Sequence, residues 1–271
     1  MSQFKSDTIV DIECVGPEWD ELDAHTREYL TNRAQNKARW DRLDLTEEQA
    51  EEVAAERMAL DLGLARIVAI GVYMIDLDRA LVLVDESGLQ NWSLGATVVE
   101  RHSEAGLIRR FWEVLADRRV GRIVTFNGRG YDGPNLMVRS AMYGIVCGRN
   151  LVGYRYDIKD HADLADCLSF QGATRSGYDL DYWCRRMGIT TPKALGIDGS
   201  DVGPLFREGR TDLIGEYLAR DLRGTGQLWQ RLKPMLTVFK GGPFMVAGAT
   251  DPAGQDSWEN MPPKEPELAL L

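Results

Sequence analysis

Residues 65–86, ARIVAIGVYMIDLDRALVLVDE, constrain the fold more than any other stretch of the chain. They hold two apolar runs, 65–77 and 80–86, separated by Asp78-Arg79. Aliphatic and β-branched residues at this density, broken by two polar residues, predict a hairpin with a tight Asp78-Arg79 turn. The sheet therefore has an antiparallel part. A further strand is predicted over residues 7–13, within TIVDIECVG. Its acids, Asp11 and Glu13, are two apart and so project to the same side of a sheet. A strand that otherwise reads as buried thus offers two negative charges to one place.

The segment between these strands, residues 14–62, is charge-rich and has no strand signal. Thr46 and Gln49 make a capping-box pattern ahead of Ala50, Val53, Ala54 and Met58 at helical spacing, with Gly63 as the expected stop. Residues 18–40 read as a second helix. The whole segment is expected to be a helical insertion packed beside the first strand. Downstream, 103–119 reads as an amphipathic helix capped by Ser103, and 120–127 as a strand broken by Asn127-Gly128. Residues 134–144 read as a helix with Pro134 in its first turn and Gly144 at its end. Two more helices follow. One is short, 179–188; the other is long, 211–232, opened by Thr211, weakened by Gly224 and Gly226, and closed by Pro234. This order predicts an α/β architecture, a mixed sheet flanked by helices. One domain is expected over residues 1–235, with a Gly/Pro-rich, partly disordered tail over 236–271.

A net charge of −10 argues against a protein that coats nucleic acid with a basic surface. It does not exclude a site that gathers carboxylates around divalent cations, which then meet phosphate with positive charge. The four cysteines, Cys14, Cys147, Cys167 and Cys184, form no C-x-x-C pair, so reduced thiols and a cytoplasmic setting are expected. No apolar run has membrane-spanning length, and the start, MSQFKSD, lacks a secretory layout.

Besides Asp11 and Glu13, two acids occupy notable places. Asp132 opens a helix just after a strand, and Asp221 lies one helical turn after Tyr217. Singly, each has an ordinary explanation: a helix cap, a solvated helix acid, an ion pair. Tyr217 alone would be a core tyrosine.

Together, VDIEC, VTFNGRGYDGPNL and YLARD resemble the three motifs of the DEDD 3′–5′ exonucleases, which share the RNase H-like fold. Glu216 stands where one branch of that group carries a histidine, so the resemblance is to the tyrosine branch. YDIKDHADLADCLSF, YDLDYWCRRMGI and PKALGIDGSDV are similar to stand-alone exonucleases related to the proofreading domain of family-B DNA polymerases. The similarity spans about residues 7–13 and 64–232. The resemblance implies phosphodiester hydrolysis with two Mg2+ or Mn2+ ions. Asp11 would bridge them, Glu13 and Asp221 would complete one ion site, and Asp132 would hold the other. Tyr217 would orient the attacking water, because a phenol with an ordinary pKa of about 10 is a poor base at neutral pH.

Asn127 shapes a turn or contacts the terminal nucleotide, and Tyr131 stacks on a base or packs. Lys193, with Lys159 and Arg175, is a candidate for phosphate contact, and His161 and Asp163 have a structural or supporting role. The implied partner is a single-stranded DNA or RNA 3′ end, with DNA favoured through the polymerase resemblance and no membrane. Two alternatives stay open: an oligonucleotidase or small phosphodiesterase whose insertion limits substrate length, and a catalytically silent nucleic-acid-binding module.

Overall fold

The computed structural model describes residues 5–85, 91–174, 178–190 and 196–236. Its strands, in chain order, are β1 (Ser6–Val15), β2 (Arg66–Met74), β3 (Arg79–Asp85), β4 (Trp92–Leu94), β5 (Thr97–His102), β6 (Val120–Thr125) and β7 (His161–Asp163). They form one sheet in the order β4-β5-β3-β2-β1-β6-β7. The strands β1, β2 and β3 are antiparallel neighbours, β6 and β7 run parallel to β1, and β5 runs parallel to β3. This is the mixed sheet that the sequence predicts.

The helices are α1 (Ala24–Trp40), α2 (Glu47–Glu56), α3 (Glu104–Leu115), α4 (Asp132–Met142), α5 (Leu164–Leu168), α6 (Leu180–Arg186), α7 (Val202–Arg207) and α8 (Thr211–Leu236). Local chemistry explains their starts. Thr46 accepts from the Gln49 N–H while the Gln49 side chain accepts from the Thr46 N–H, the reciprocal cap expected for α2. Ser103 accepts from the Gly106 N–H at the head of α3.

Several boundaries differ from expectation. Strand β1 continues to Val15, so the insertion begins at Gly16 rather than Cys14. Helix α2 stops at Glu56, well before Gly63, because the chain tightens into a 3-10 turn at Met58–Leu60. In the hairpin Met74 pairs with Arg79, so the connection is a 3-10 turn, Ile75–Leu77, closed by left-handed Asp78. Helix α8 passes without a break through Gly224 and Gly226 and includes Pro234. Gly226 meets a packing demand: a Cβ there would lie 3.0 Å from the Tyr73 ring. Strands β4, β5 and β7 carry too few apolar residues to be read from the sequence. The expected tail lies outside the described residues, apart from Leu236.

Two layers of helix cover the sheet. On one face Val10, Ile12, Ile70, Val72 and Leu83 pack with Leu107, Ile108 and Phe111 of α3 and Leu136 of α4. On the other, α8 crosses the sheet. Gly215 sits against Val82 and Val84 of β3, and Leu222 against Gly71 of β2. The indole N–H of Trp229 donates to Asp7 of β1 at 3.0 Å. Between β1 and β2, α1 and α2 form a hairpin with its own small core of Leu30, Ala54 and Met58.

Candidate active site

Alternation along β1 divides its residues between these faces: Val10, Ile12 and Cys14 point to the apolar core, while Asp7, Asp11 and Glu13 point towards α8. The antiparallel register sets Asp11 opposite Gly71 and Glu13 opposite Ala69. Directly opposed residues share a face, so the cross-strand neighbours of the two acids are small. A Cβ at Gly71 would lie 2.7 Å from Leu222 Cδ1. The glycine lets α8 press onto the sheet beside Asp11, and Asp221, adjacent to Leu222, reaches the acids of β1. One oxygen each from Asp11, Glu13 and Asp221 lies within 4.8 Å of the others.

Asp132 joins from the opposite side of β1. It is the first residue of α4, and its Oδ1 accepts from the Ile12 N–H at 3.0 Å. The pairing of β1 with β6 ends at Ile9, which leaves that N–H to side chains, and it is shared with Asp11 Oδ1 at 3.1 Å. Asp132 thereby ties the head of α4 to the strand between Asp11 and Glu13. It stands close enough to Asp11 to raise that carboxyl, but it is not one of the three residues gathered within 4.8 Å.

The loop before Asp132 is clamped by Asp163. Its carboxylate accepts from the N–H groups of Asn127, at 2.8 Å, and Arg129, at 2.9 Å. It also caps α5 through Ala165. Asn127 adopts a left-handed backbone, φ 63°, which asparagine tolerates and which turns the chain out of β6. His161 is buried, its Nε2 2.9 Å from Thr125 Oγ1, and burial pushes its pKa down to about 3. These two residues brace the site without entering it.

Tyr217 and Asp221 lie on the buried side of α8, one turn apart, among Ile214, Leu218 and Leu228. Burial, then the charges of Asp221 and Glu13, hold the Tyr217 phenol well above its ordinary range, and it hydrogen-bonds Asp221. Glu216 faces outward and pairs with Arg220 at 2.9 Å. Tyr131 is engaged with the insertion: its hydroxyl donates to the Ala59 carbonyl at 2.8 Å. Lys159 is exposed, while Lys193 and Arg175 lie outside the described residues.

The carboxylates repel one another. Burial raises Asp11 well above the usual range, and the charges of Asp132, Asp221 and Glu13 raise it further. Glu13 is raised by burial, then by Asp221 and Asp132. Asp132 is pushed up to about 7, chiefly by burial. No cationic side chain is among these causes. Oxygen-only donors under mutual repulsion suit a hard divalent cation such as Mg2+ or Mn2+, whose binding would relieve it. The register of small residues opposite Asp11 and Glu13, and the bond from Ile12 to Asp132, are features that sequence reading missed. Only the pairing of β1 with β2 brings the first of them out of VAIGV.

Known proteins share this architecture. A family described as a predicted 3′–5′ exonuclease related to the exonuclease domain of PolB matches residues 59–244, which include Asp132, Tyr217 and Asp221 but not β1. No curated protein matches the chain. The family B DNA polymerase from the hyperthermophilic archaeon Pyrobaculum calidifontis is similar in structure, with a TM-score of 0.55 and 18% identity, over 86% of this chain. The match spans 25% of that polymerase. The fold is therefore RNase H-like, as in the exonuclease domain of a family B polymerase. With more than two thirds of its length matched by the family, the chain belongs to the predicted 3′–5′ exonucleases related to the exonuclease domain of PolB.

Proposed function

We propose that the protein is a metal-dependent 3′–5′ exonuclease that releases nucleotides from single-stranded ends, with DNA preferred to RNA. The observation that carries this reading is the convergence of Asp11, Glu13 and Asp221 within 4.8 Å, in a chain whose family is that of predicted 3′–5′ exonucleases. Asp11, Glu13, Asp132 and Asp221 would hold two Mg2+ or Mn2+ ions, with Asp11 shared between them. When bound, such ions supply the positive charge that activates water and stabilises the leaving oxygen of a phosphodiester.

The chain's own groups do the rest. Asp132, fixed to the Ile12 N–H, keeps the strand and the head of α4 at a set separation. Tyr217, held protonated, keeps an O–H available beside Asp221 to position the attacking water rather than to take its proton. This assignment, with Glu216 in place of a histidine, puts the chain in the tyrosine branch of the DEDD exonucleases. Asn127 sets the turn that delivers Asp132. The preference for DNA follows from the relation to polymerase exonuclease domains.

A length series of 5′-labelled single-stranded DNA and RNA, digested with Mn2+ or Mg2+, tests the reading. A ladder shortening from the 3′ end, faster on DNA, is expected. Cleavage confined to the shortest oligonucleotides would make the protein an oligonucleotidase, and no cleavage with either ion would overturn the proposal.

A further inference from the structure

Helix α1 stands out in an acidic chain. Over Ala24–Trp40 it carries Arg27, Arg33, Lys37 and Arg39 against Glu28 alone, while the whole protein has a net charge of −10. Its inner side, Leu30, Ala34 and Ala38, packs towards α2. Its outer side has a different chemistry. Tyr29, Asn36 and Trp40 recur at helical spacing on one face, next to Arg33 and Lys37. Tyr29 is 60% exposed and Trp40 88% exposed, far more than is usual for rings of this size. The two lie eleven positions apart, about 16 Å along the helix.

This face borders a groove of about 540 Å³ between α1, α2 and the turn at Met58–Leu60. Most of its lining is apolar, Leu30, Leu43, Leu45 and Val53 among it, and Arg33, Lys37 and Arg57 line it together with Asp41 and Asp61. Arg33 pairs with Asp61 at 2.8 Å and Lys37 lies 3.7 Å from Asp41, yet both cations stay more than half exposed. Exposed ion pairs of this kind are weak and readily exchanged for another anion. None of the glutamates of α2 lines the groove. The turn that bounds the groove also touches the two elements that carry the acid site. Ala59, within the turn at Met58–Leu60, accepts through its carbonyl from Tyr131, the residue before Asp132. Gly16, just past β1, is in close contact with Met58 and Ala59.

We infer that α1 and its groove are a docking surface for single-stranded nucleic acid, holding the strand upstream of the 3′ end that enters the acid site. Cations track the phosphates, Tyr29 and Trp40 offer faces on which bases stack, and Asn36 supplies an amide for base edges. Cations with exposed rings beside them are how sequence-tolerant single-strand binding is built. It also eases the conflict between an acidic protein and a polyanionic substrate, because α1 carries four cations against one acid. The inference rests on the proposed exonuclease function and adds the path of the strand.

The test uses the full-length protein in EDTA, so that binding is read without hydrolysis. The ligand is a fluorescein-labelled oligothymidylate of about 20 nucleotides, long enough to cover both surfaces. Two variants are compared with wild type: Tyr29→Ala/Trp40→Ala, and Arg33→Gln/Lys37→Gln/Arg39→Gln. These positions are exposed, and circular dichroism verifies folding. Each variant is expected to bind at least about tenfold more weakly. The charge variant should also lose about 2 from the slope of log affinity against log salt. Wild-type binding with unchanged affinity in both variants would overturn the inference. So would a loss of self-association, seen by light scattering, with oligonucleotide affinity intact, because the face would then serve a protein partner. No binding by the wild type would overturn the inference as well, whereas the exonuclease reading stands or falls on cleavage with Mn2+ or Mg2+.

Discussion

The two faces of β1 are built to opposite ends. Val10, Ile12 and Cys14 point into a closed core with Phe111 and Leu136, where every contact favours the folded state. Asp11 and Glu13, one residue out of phase, point at Asp221 on α8, where burial and like charge hold the carboxyls well above their usual range. One face stabilises the fold; the other costs stability in the absence of a cation. The alternation of a single strand is therefore enough to attach a destabilising site to a stable scaffold.

The largest expected effect separates the faces by activity. Asp221→Asn should lower nucleotide release by about a thousandfold or more, since it removes one of the acids proposed to hold the ions. Measured without metal, the same variant should melt no lower than wild type, because it relieves repulsion with Glu13. Phe111→Ala does the reverse. It should cost about 3–5 kcal/mol in chemical denaturation, with residual activity tracking the folded fraction. If Phe111→Ala abolished activity while fully folded, the two faces would not be separable.

Gly71→Ala tests the junction between sheet and helix. Its new methyl would meet Leu222 Cδ1 at 2.7 Å, so the Leu222 side chain must turn aside or α8 must move off β2. A cost of about 1–3 kcal/mol is expected, with a larger fall in affinity for Mn2+ than core strain alone would give. Restored Mn2+ affinity in Gly71→Ala/Leu222→Ala would confirm that contact as the cause.

The pH dependence follows from the carboxyls. Their folded pKa values are raised, Asp132 to about 7, so the metal-free protein gains stability where they are protonated and loses it as pH rises through the folded values. In EDTA the melting temperature should therefore be lower at about pH 8 than at about pH 5.5, and Mg2+ or Mn2+ should close the gap at the higher pH. A melting temperature that rises with pH in EDTA would contradict the assigned repulsion. The smallest effect is expected for Tyr131→Phe, which leaves the Ala59 carbonyl without its partner and should cost about 1 kcal/mol of stability.

Helices α3 and α8 were legible because each repeats one period for long enough to be read, the hairpin and β1 because their apolar runs are rich in β-branched residues, and Ser103 and Thr46 mark true caps. The pairing of Tyr217 with Asp221 followed from helical spacing alone. Strand β5 was not legible: after Val98 and Val99 it runs into Glu100, Arg101 and His102, where Glu100 pairs with Arg110 of α3 and with His102, and Arg101 stacks over Trp92 of β4. The roles of Gly71 and Ala69 depend on strand register, and the bond from the Ile12 N–H to Asp132 joins positions 120 apart. Neither relation leaves a local pattern. The insertion was legible as helices but not as a surface, because the outer face of α1 acquires meaning only once its inner face is known.

The most direct measurement is a calorimetric titration of Mn2+ into wild type and Asp11→Asn, with hydrolysis of 5′-labelled single-stranded DNA followed on the same preparations. The account predicts that wild type binds the ion and shortens the strand from its 3′ end, while a folded Asp11→Asn loses both. Undiminished binding and hydrolysis in Asp11→Asn would contradict it.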